Sequence, residues 1–485
     1  MIGAIGTPRL QFAPILPELF LCGAAIVGLL YEAFAPRADR RWHLAIGLAG
    51  LVAAALAAFP LWHWHGTLSV MNGMVAVDRF SVVSRLILLS IAAMALVYGA
   101  HYFGRTGGGR GEFTPLVLFA TAGMTLITAA DDLIVVFLAL EILSLALYVL
   151  AGITGRPASN EAAMKYFLLG AFSSAFFLFG VAWAYGATGT THIAAVSNAL
   201  AGQTGSQAMA LLAFAFLAIG FGFKVAAVPF HMWTPDVYQG APTPVTAFMS
   251  AGTKVAAFMA LIRVLDVAFQ PLTWDWTPLV VVLAGATVIV GSVLAIAQVD
   301  IKRMLAYSSI AHAGFVLIGL TAANQTGIRA AIFYLISYAI MTLGAFGAVM
   351  VVSAKGEELT SLTSYAGLAK RSPLLAGLMT LFLLSLAGIP PTAGFVAKVG
   401  VFGAAIGAGH WPLAVIGVVS SVAAAFFYLR VIVLMYMQEP QGVQDEDPSV
   451  LLRLALAIPA ILTLAFGIFP SLILGVVEKA SILRW

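Results

Sequence analysis

Apolar runs of about twenty residues recur from one end of this chain to the other, and no other feature limits its fold as strongly. A run of that length matches the ~30 Å hydrocarbon core of a bilayer. About fourteen are present, at 15–34, 43–61, 79–103, 114–130, 133–153, 162–187, 209–230, 244–269, 277–297, 303–321, 328–353, 374–400, 409–437 and 451–475. Unpaired backbone is not tolerated in hydrocarbon and the runs are far longer than barrel strands, so they are expected to be helices. Of the 485 residues, 62% are hydrophobic and 9% charged, against about 25% charged in an ordinary soluble domain. The expectation is an all-α polytopic membrane protein, a single membrane domain over 1–485. The longest polar links, 188–208, 354–373 and 438–450, are too short to fold alone, and no cleavable-signal pattern is read at the start.

The single cysteine, Cys22, excludes a disulfide or a cysteine-held cluster. Eight histidines without CxxH or HExxH spacing give no reason to expect a transition-metal or haem site. The WHWH at 62–65 reads as an interfacial aromatic belt. The net charge of +4 asks for no nucleic-acid partner; a lipid bilayer accounts for it. If spans alternate sides, loops after odd-numbered spans carry the 37–41, 302–303 and 370–371 clusters with Arg105, Arg110, Arg156, Lys355 and Arg453. The other side carries Arg9, Arg79, Arg85, Arg263, Arg329, Lys479 and Arg484. Positive charge marks the cytoplasmic face, so both termini are expected outside.

Topology does not explain Glu141, in the middle of VFLALEILSLALYVL, nor Lys165, Lys224, Lys254, Lys398 and Arg430. Arg430 lies near the cytoplasmic end of its span, where a long side chain snorkels. Each unpaired intramembrane charge costs roughly 2.5–3.5 kcal/mol on insertion scales, so the others must be paired, hydrated or neutral. Burial and an opposite neighbour act against each other on the proton affinity of such groups, and small movements then decide who holds the proton. That is what a proton relay needs. A static ion pair is the alternative, but one acid cannot pair several lysines on different helices.

Two spans are broken beside these lysines. In FKVAAVPFHMW, Pro229 follows Lys224; in SLAGIPPTAGFVAKVG, Pro390 and Pro391 precede Lys398. Proline removes a backbone donor and disturbs the preceding turn, and paired broken spans in two halves of a chain point to a transporter-like site near the midplane. His231 after the first break, and His312 in SSIAHAGF beside Tyr307, Ser308 and Ser309, add groups able to pass protons in either direction.

The stretches NEAAMKYFLLGAF (160–172), FKVAAVPFHMWTPDVYQGAPTPVTAFMSAGTKVAAF (223–258), SSIAHAGF (308–315) and LAGIPPTAGFVAK (386–398) resemble the antiporter-like membrane subunits of respiratory complex I. The resemblance covers nearly the whole chain and is closest to the subunit N branch of proton-translocating NADH–quinone oxidoreductase. It implies two inverted five-helix repeats, in a division of 1–113 (helices 1–3), 114–270 (first repeat), 275–437 (second repeat) and 451–485 (last helix and C-terminus). Helices 7 and 12, the proline-broken ones, become equivalent. It also implies roles. Glu141 becomes the span-five glutamate facing the adjacent subunit, with Lys224 its partner and Lys165 a tuning neighbour. Lys254 is the central relay lysine, Lys398 the terminal one, and His231 and His312 join them through water. Redox chemistry would lie elsewhere: no cofactor in this chain, with FMN, iron–sulfur clusters and quinone in partner subunits. The partners implied are other membrane subunits of complex I, including a second antiporter-like subunit and small membrane subunits, in the bacterial inner membrane. The competing readings are a subunit of a multi-component cation/proton antiporter or membrane-bound hydrogenase, a structural anchor with inert ion pairs and, more weakly, a stand-alone solute carrier.

Overall fold

A chain this apolar has to satisfy its backbone within itself, and it does so almost entirely with helices. The computed structural model describes residues 11–35, 41–64, 69–106, 111–202, 206–354, 357–440 and 449–483. Of the charges and ring residues read in the sequence, Arg9, Arg37, Arg40, His65, Arg110, Lys355 and Arg484 lie outside the described residues. The helices are α1 (Leu16–Phe34), α2 (Arg41–Ala58), α3 (Arg79–Thr106), α4 (Phe113–Ala129), α5 (Leu133–Ala151), α6 (Pro157–Thr188), α7 (Ile193–Ala201), α8 (Gln207–Val225), α9 (Trp233–Gly240) and α10 (Thr243–Phe248). They continue with α11 (Lys254–Arg263), α12 (Thr273–Ile296), α13 (Ile301–Leu320), α14 (Gln325–Val351), α15 (Leu368–Arg371), α16 (Pro373–Ala387), α17 (Ala393–Gly407), α18 (Trp411–Met437), α19 (Val450–Ile468) and α20 (Ser471–Ala480). Two antiparallel hairpins, β1 (Ser69–Val70) with β2 (Val75–Ala76) and β3 (Ser353–Ala354) with β4 (Glu357–Glu358), close loops at the ends of the bundle.

Among the described residues, 12 helices are long and apolar enough to cross a membrane, and Phe113–Ala129, Pro373–Ala387 and Ala393–Gly407 are apolar but shorter. The continuous run from α10 to α11 passes through a π-helical turn at Met249–Thr253 and is wholly buried, followed by α14 at 94% and α13 at 89%. For α1, α2 and α18 only 33% is buried. The core is therefore a set of helices shielded from lipid by other helices, and the outer ring turns large apolar side chains such as Leu56, Phe172 and Val422 outward.

Side chains fix the helix starts. Asp132 accepts from the Ile134 amide at 2.8 Å, Asp300 from Arg303 at 2.9 Å and Asn324 from Gly327 at 3.0 Å, each using an otherwise orphaned N–H. Both proline-marked spans are interrupted, as their sequence suggests. α8 stops at Val225, with Ala226 left-handed at φ 60, and α16 stops at Ala387, with Gly388 at φ 86. The Val228–Pro229 and Pro390–Pro391 peptides are cis.

Three cations expected to sit in loops are buried instead. Arg85 pairs with Glu18 at 2.9 Å, Arg263 with Asp78 at 2.9 Å and Lys302 with Glu358 at 2.9 Å. Arg85 joins two helices, and Arg263 and Lys302 tie a helix to a loop and to β4, so none of them reports topology in the way a free loop charge does. Arg430 is held by the carbonyls of Ile296, at 3.0 Å, and Gln298, where it caps the end of α12.

Candidate functional site

The two helix breaks place the ionisable side chains. Because α8 ends in mid-bundle, the carbonyl of Val225 has no following turn to bond, and Lys254 supplies the donor. Its Nζ donates to Val225 O at 3.0 Å and to Ser309 O at 2.7 Å, with the side chain 2% exposed. At the second break the same task falls to Lys398, near the start of α17. Its Nζ donates to Leu386 O at 3.1 Å, Ala387 O at 2.8 Å and Ser421 Oγ at 2.7 Å, and lies 4.8 Å from the centre of the Phe315 ring. A helix C-terminus carries a partial negative charge, so each lysine sits where a cation is favoured without any carboxylate.

Hydroxyls and an imidazole occupy the space between the two lysines. Tyr338 donates to Ser309 Oγ at 2.9 Å, on the same residue whose carbonyl receives Lys254. One turn along α13, His312 is hydrogen-bonded through Nδ1 to Tyr334 OH at 2.8 Å and through Nε2 to Tyr428 OH at 3.3 Å, and Tyr428 OH also meets Ser308 Oγ. The His312 ring lies 5.8 Å from Phe315, which faces Lys398. All of these side chains except the partly buried Ser421 are buried. The result is a row of proton-binding groups from α11 to α17, crossing α13, α14 and α18, in which ring contacts rather than hydrogen bonds join Tyr338 to His312, and the Phe315 ring separates His312 from Lys398.

Lys224 is held differently from the sequence expectation. No ion pair joins it to Glu141. Its Nζ donates to Ser144 Oγ at 2.7 Å and sits among the rings of Tyr166, Tyr148 and Phe223, at 5.4, 5.7 and 5.7 Å. Desolvated contacts of this kind are worth about 2 kcal/mol. Glu141 stands one turn before Ser144 on α5, half-buried, and accepts from Ser174 Oγ. Its neighbours along that stripe, Leu138 and Leu145, are 51% and 56% exposed. The carboxylate therefore looks out of the bundle, with Ser144 between it and Lys224.

Two further candidates stand apart from this file. Lys165 pairs with Asp236 and Glu161, each at 2.8 Å, and Arg303 reaches the other oxygen of Asp236 at 2.6 Å. Burial raises the Asp236 carboxyl, but the hydrogen bonds from Lys165 and Arg303 outweigh it and hold the group below the usual carboxylate range. Lys165 thus belongs to an ion-pair network at the α6–α9–α13 end, a different place from the Lys224 ring cage. His231, half-buried after the first break, has an Nδ1 without a hydrogen-bond partner among the described residues and does not touch His312.

Tyr148, Tyr166, Tyr334, Tyr338, Tyr428, Ser144, Ser174 and Ser421 escaped the sequence reading. The signal present was weak: tyrosines inside apolar spans, Tyr334 and Tyr338 four apart on one face of α14. Tyr307, by contrast, lies against Arg303 and outside the file.

Comparison with known proteins places the architecture. The family described as NADH:quinone oxidoreductase/Mrp antiporter, TM, matches residues 130–424. The chain belongs to this family. The match spans both helix breaks and all seven candidate residues. A relative from Rhodococcus opacus, named NADH-quinone oxidoreductase subunit N, is 45% identical over 99% of this chain and 97% of its own length. Another of that name from Trichlorobacter lovleyi is 45% identical over 96% of each chain. Among solved structures, a chain of respiratory complex I from Thermus thermophilus with bound aureothin superposes with a TM-score of 0.82 at 35% identity, covering 96% of this chain and 99% of that one. A chain of the Mrp complex from Dietzia sp. gives 0.83 at 24% identity over 97% of each, a likeness of fold alone.

Proposed function

We propose that this chain is a proton-moving membrane subunit of NADH–quinone oxidoreductase. The observation that carries the reading is the buried file from Lys254 through Ser309, Tyr338, His312, Tyr334 and Tyr428 to Lys398, anchored at both ends on carbonyls freed by a helix break. The kinship to proteins named subunit N supports the coupling to quinone reduction.

In this reading Lys224, Lys254, His312 and Lys398 carry protons in turn, and Glu141 senses the adjoining subunit. Lys165 sets the charge at the inner end, and His231 joins through water at the first break. A change in charge beside Glu141 alters the field at Lys224 by way of Ser144, and the proton is handed on towards Lys398 and the outside. FMN, iron–sulfur clusters and quinone belong to partner subunits. Other complex I membrane subunits, a second antiporter-like one among them, flank this chain in a bacterial inner membrane, with both termini outside. The short helix α4 and the pair α16–α17 each make one crossing, giving fourteen. The like geometry at the two breaks, a left-handed residue three before Pro229 and three before Pro391, supports equivalent helices in two inverted repeats.

The test is the assembled complex in proteoliposomes. Lys224→Ala and Lys398→Ala should each remove most quinone-coupled proton pumping, measured as acidification per NADH oxidised. Undiminished pumping in either variant would sink the reading. A second reading, a cation/proton antiporter subunit, is favoured by the family's breadth and by the fold shared with the Mrp chain. Sodium-dependent transport without quinone activity would select it.

A further inference from the structure

A second cluster of buried ionisable groups lies where α3 begins, α4 ends, α5 begins and α11 ends. Arg263 grips Asp78 with two parallel bonds, Nη1 to Oδ2 at 2.9 Å and Nη2 to Oδ1 at 3.0 Å, and donates to Thr128 O at 3.1 Å. The Ser81 amide donates to the same Asp78 carboxylate at 2.7 Å. His192 faces Asp132 at 3.2 Å and the Gly73 carbonyl at 3.1 Å, and Thr191 donates to Asp132 at 2.7 Å.

Asp131 stands among these groups on different terms. Its amide donates to Met74 O at 2.9 Å, and its Oδ2 accepts from Ser69 Oγ on β1. Its Oδ1 is buried without a hydrogen-bond partner among the described residues, on a side chain 4% exposed. A bare, buried carboxylate oxygen carries its full desolvation cost, whereas a carboxyl with a proton on that oxygen does not. Burial lifts the Asp131 carboxyl to about 6; the nearby Asp78 charge adds to the effect, and Ser69, Arg263 and His192 oppose it. The group therefore exchanges its proton close to neutrality.

Buried threonines on α4 lie between the level of Lys254 and Asp131, each hydroxyl donating to a carbonyl of its own helix. Thr121, Thr125 and Thr128 on α4 are fully buried. Thr121 and Thr128 share the helix face of Met124, one turn to either side. Met124 packs on Gly252, where an added Cβ would come within 2.9 Å of its sulfur, and Thr128 O binds Arg263. This hydroxyl-bearing face of α4 thus runs along the helix that starts beside Lys254 and ends at the Asp78–Asp131 cluster.

We propose that Asp131 is a proton-binding site at the outer end of the first half of the chain, a second branch through which protons that reach Lys254 are released. It rests on the relay reading and on the orientation given above. Oδ1 takes a proton and later gives it to water beyond the β1–β2 hairpin; only an O–H bond forms and breaks.

The assembled complex in proteoliposomes provides the test. Infrared difference spectra across a pH titration should contain a protonated-carboxyl band with a midpoint of about 6, absent from Asp131→Asn, and that variant should move fewer protons per NADH oxidised. Ser69→Ala keeps the carboxyl but removes a donor that favours the charged form, so its midpoint should rise. A wild-type band that survives in Asp131→Asn, an unchanged proton ratio, or a Ser69→Ala midpoint that does not move would each overturn the proposal. If Asp131→Asn fails to assemble, the Ser69→Ala titration decides. Intact pumping in Lys224→Ala and Lys398→Ala condemns the relay reading instead; lost pumping there, with Asp131→Asn like wild type, condemns this branch alone.

Discussion

Asp78 and Asp131 are buried carboxyls, and Glu358 a partly buried one, just outside the membrane-crossing helices, and their surroundings set opposite signs. Burial works against the charged form in all three, but Arg263 with Ser81 overcomes it at Asp78, and Lys302 with the Thr243 amide overcomes it at Glu358; both are held below the usual range. Their contribution to stability is present above the unfolded value near 4 and is lost as pH falls through the lowered one. Asp131, raised to about 6, behaves in reverse: its contribution is complete below about 4 and lost as pH rises through the folded value. Thermal unfolding of the solubilised complex should therefore show Asp131→Asn losing less stability than wild type between about pH 4 and 7, by up to about 3 kcal/mol. Equal slopes would count against it. Asp78→Ala strands a fully buried guanidinium and should cost about 3–5 kcal/mol, while replacing both Asp78 and Arg263 with leucine should cost much less. A double variant no more stable than Asp78→Ala would refute that account. None of this was legible in the sequence: Arg85, Arg263 and Lys302 fall near span ends, where a free loop charge and a buried ion pair look alike.

At the level of elements, the breaks were the most legible feature because proline acts locally and its consequence does not depend on what packs against it. What the sequence could not give is which group satisfies the freed carbonyls. Lys224 precedes the first break in sequence, yet it is Lys254, from another helix, that binds Val225 O. The expected Glu141–Lys224 pair is not a contact ion pair, for a related reason, and the carboxylate acts on the ammonium through its field. Ser144, also on α5, takes the hydrogen bond of the ammonium, and aromatic rings surround it. The second break suggests a sharp perturbation. Gly388 has φ 86, and a Cβ there would come 2.8 Å from Lys398 Cδ. Gly388→Ala should cost about 1–2 kcal/mol in backbone strain and displace Lys398 from Leu386 and Ala387, lowering protons pumped per NADH. Ala226→Gly, which relieves a left-handed alanine at the matching place, should stabilise the chain by up to about 1 kcal/mol and leave the lysine contacts intact. If Gly388→Ala pumps like wild type, the tie between break geometry and relay position is wrong.

Across the whole molecule, the helical architecture followed from apolar run length alone, whereas the lateral face of the bundle was expected only through the family resemblance, which turns Glu141 towards an adjacent subunit. The stripe Ile134, Leu138, Glu141, Leu145 and Val149 on α5 carries apolar side chains that are 45%, 51%, 56% and 57% exposed, with the half-buried carboxylate at its centre. Lipid on this face would leave Glu141 with Ser174 as its one hydrogen-bond partner among the described residues, at a cost of roughly 2.5–3.5 kcal/mol or more. A neighbouring membrane subunit bearing a polar or basic side chain removes that cost, and Glu141 then becomes the point at which the neighbour's charge state reaches Lys224. The prediction is geometric. A photo-crosslinking residue at Leu145 should capture a membrane subunit when the complex is assembled, and lipid when this chain is expressed alone. Crosslinks to lipid in both preparations would mean that α5 faces the bilayer. Glu141 would then be isolated from any partner's charge, and the coupling through Ser144 would have no input.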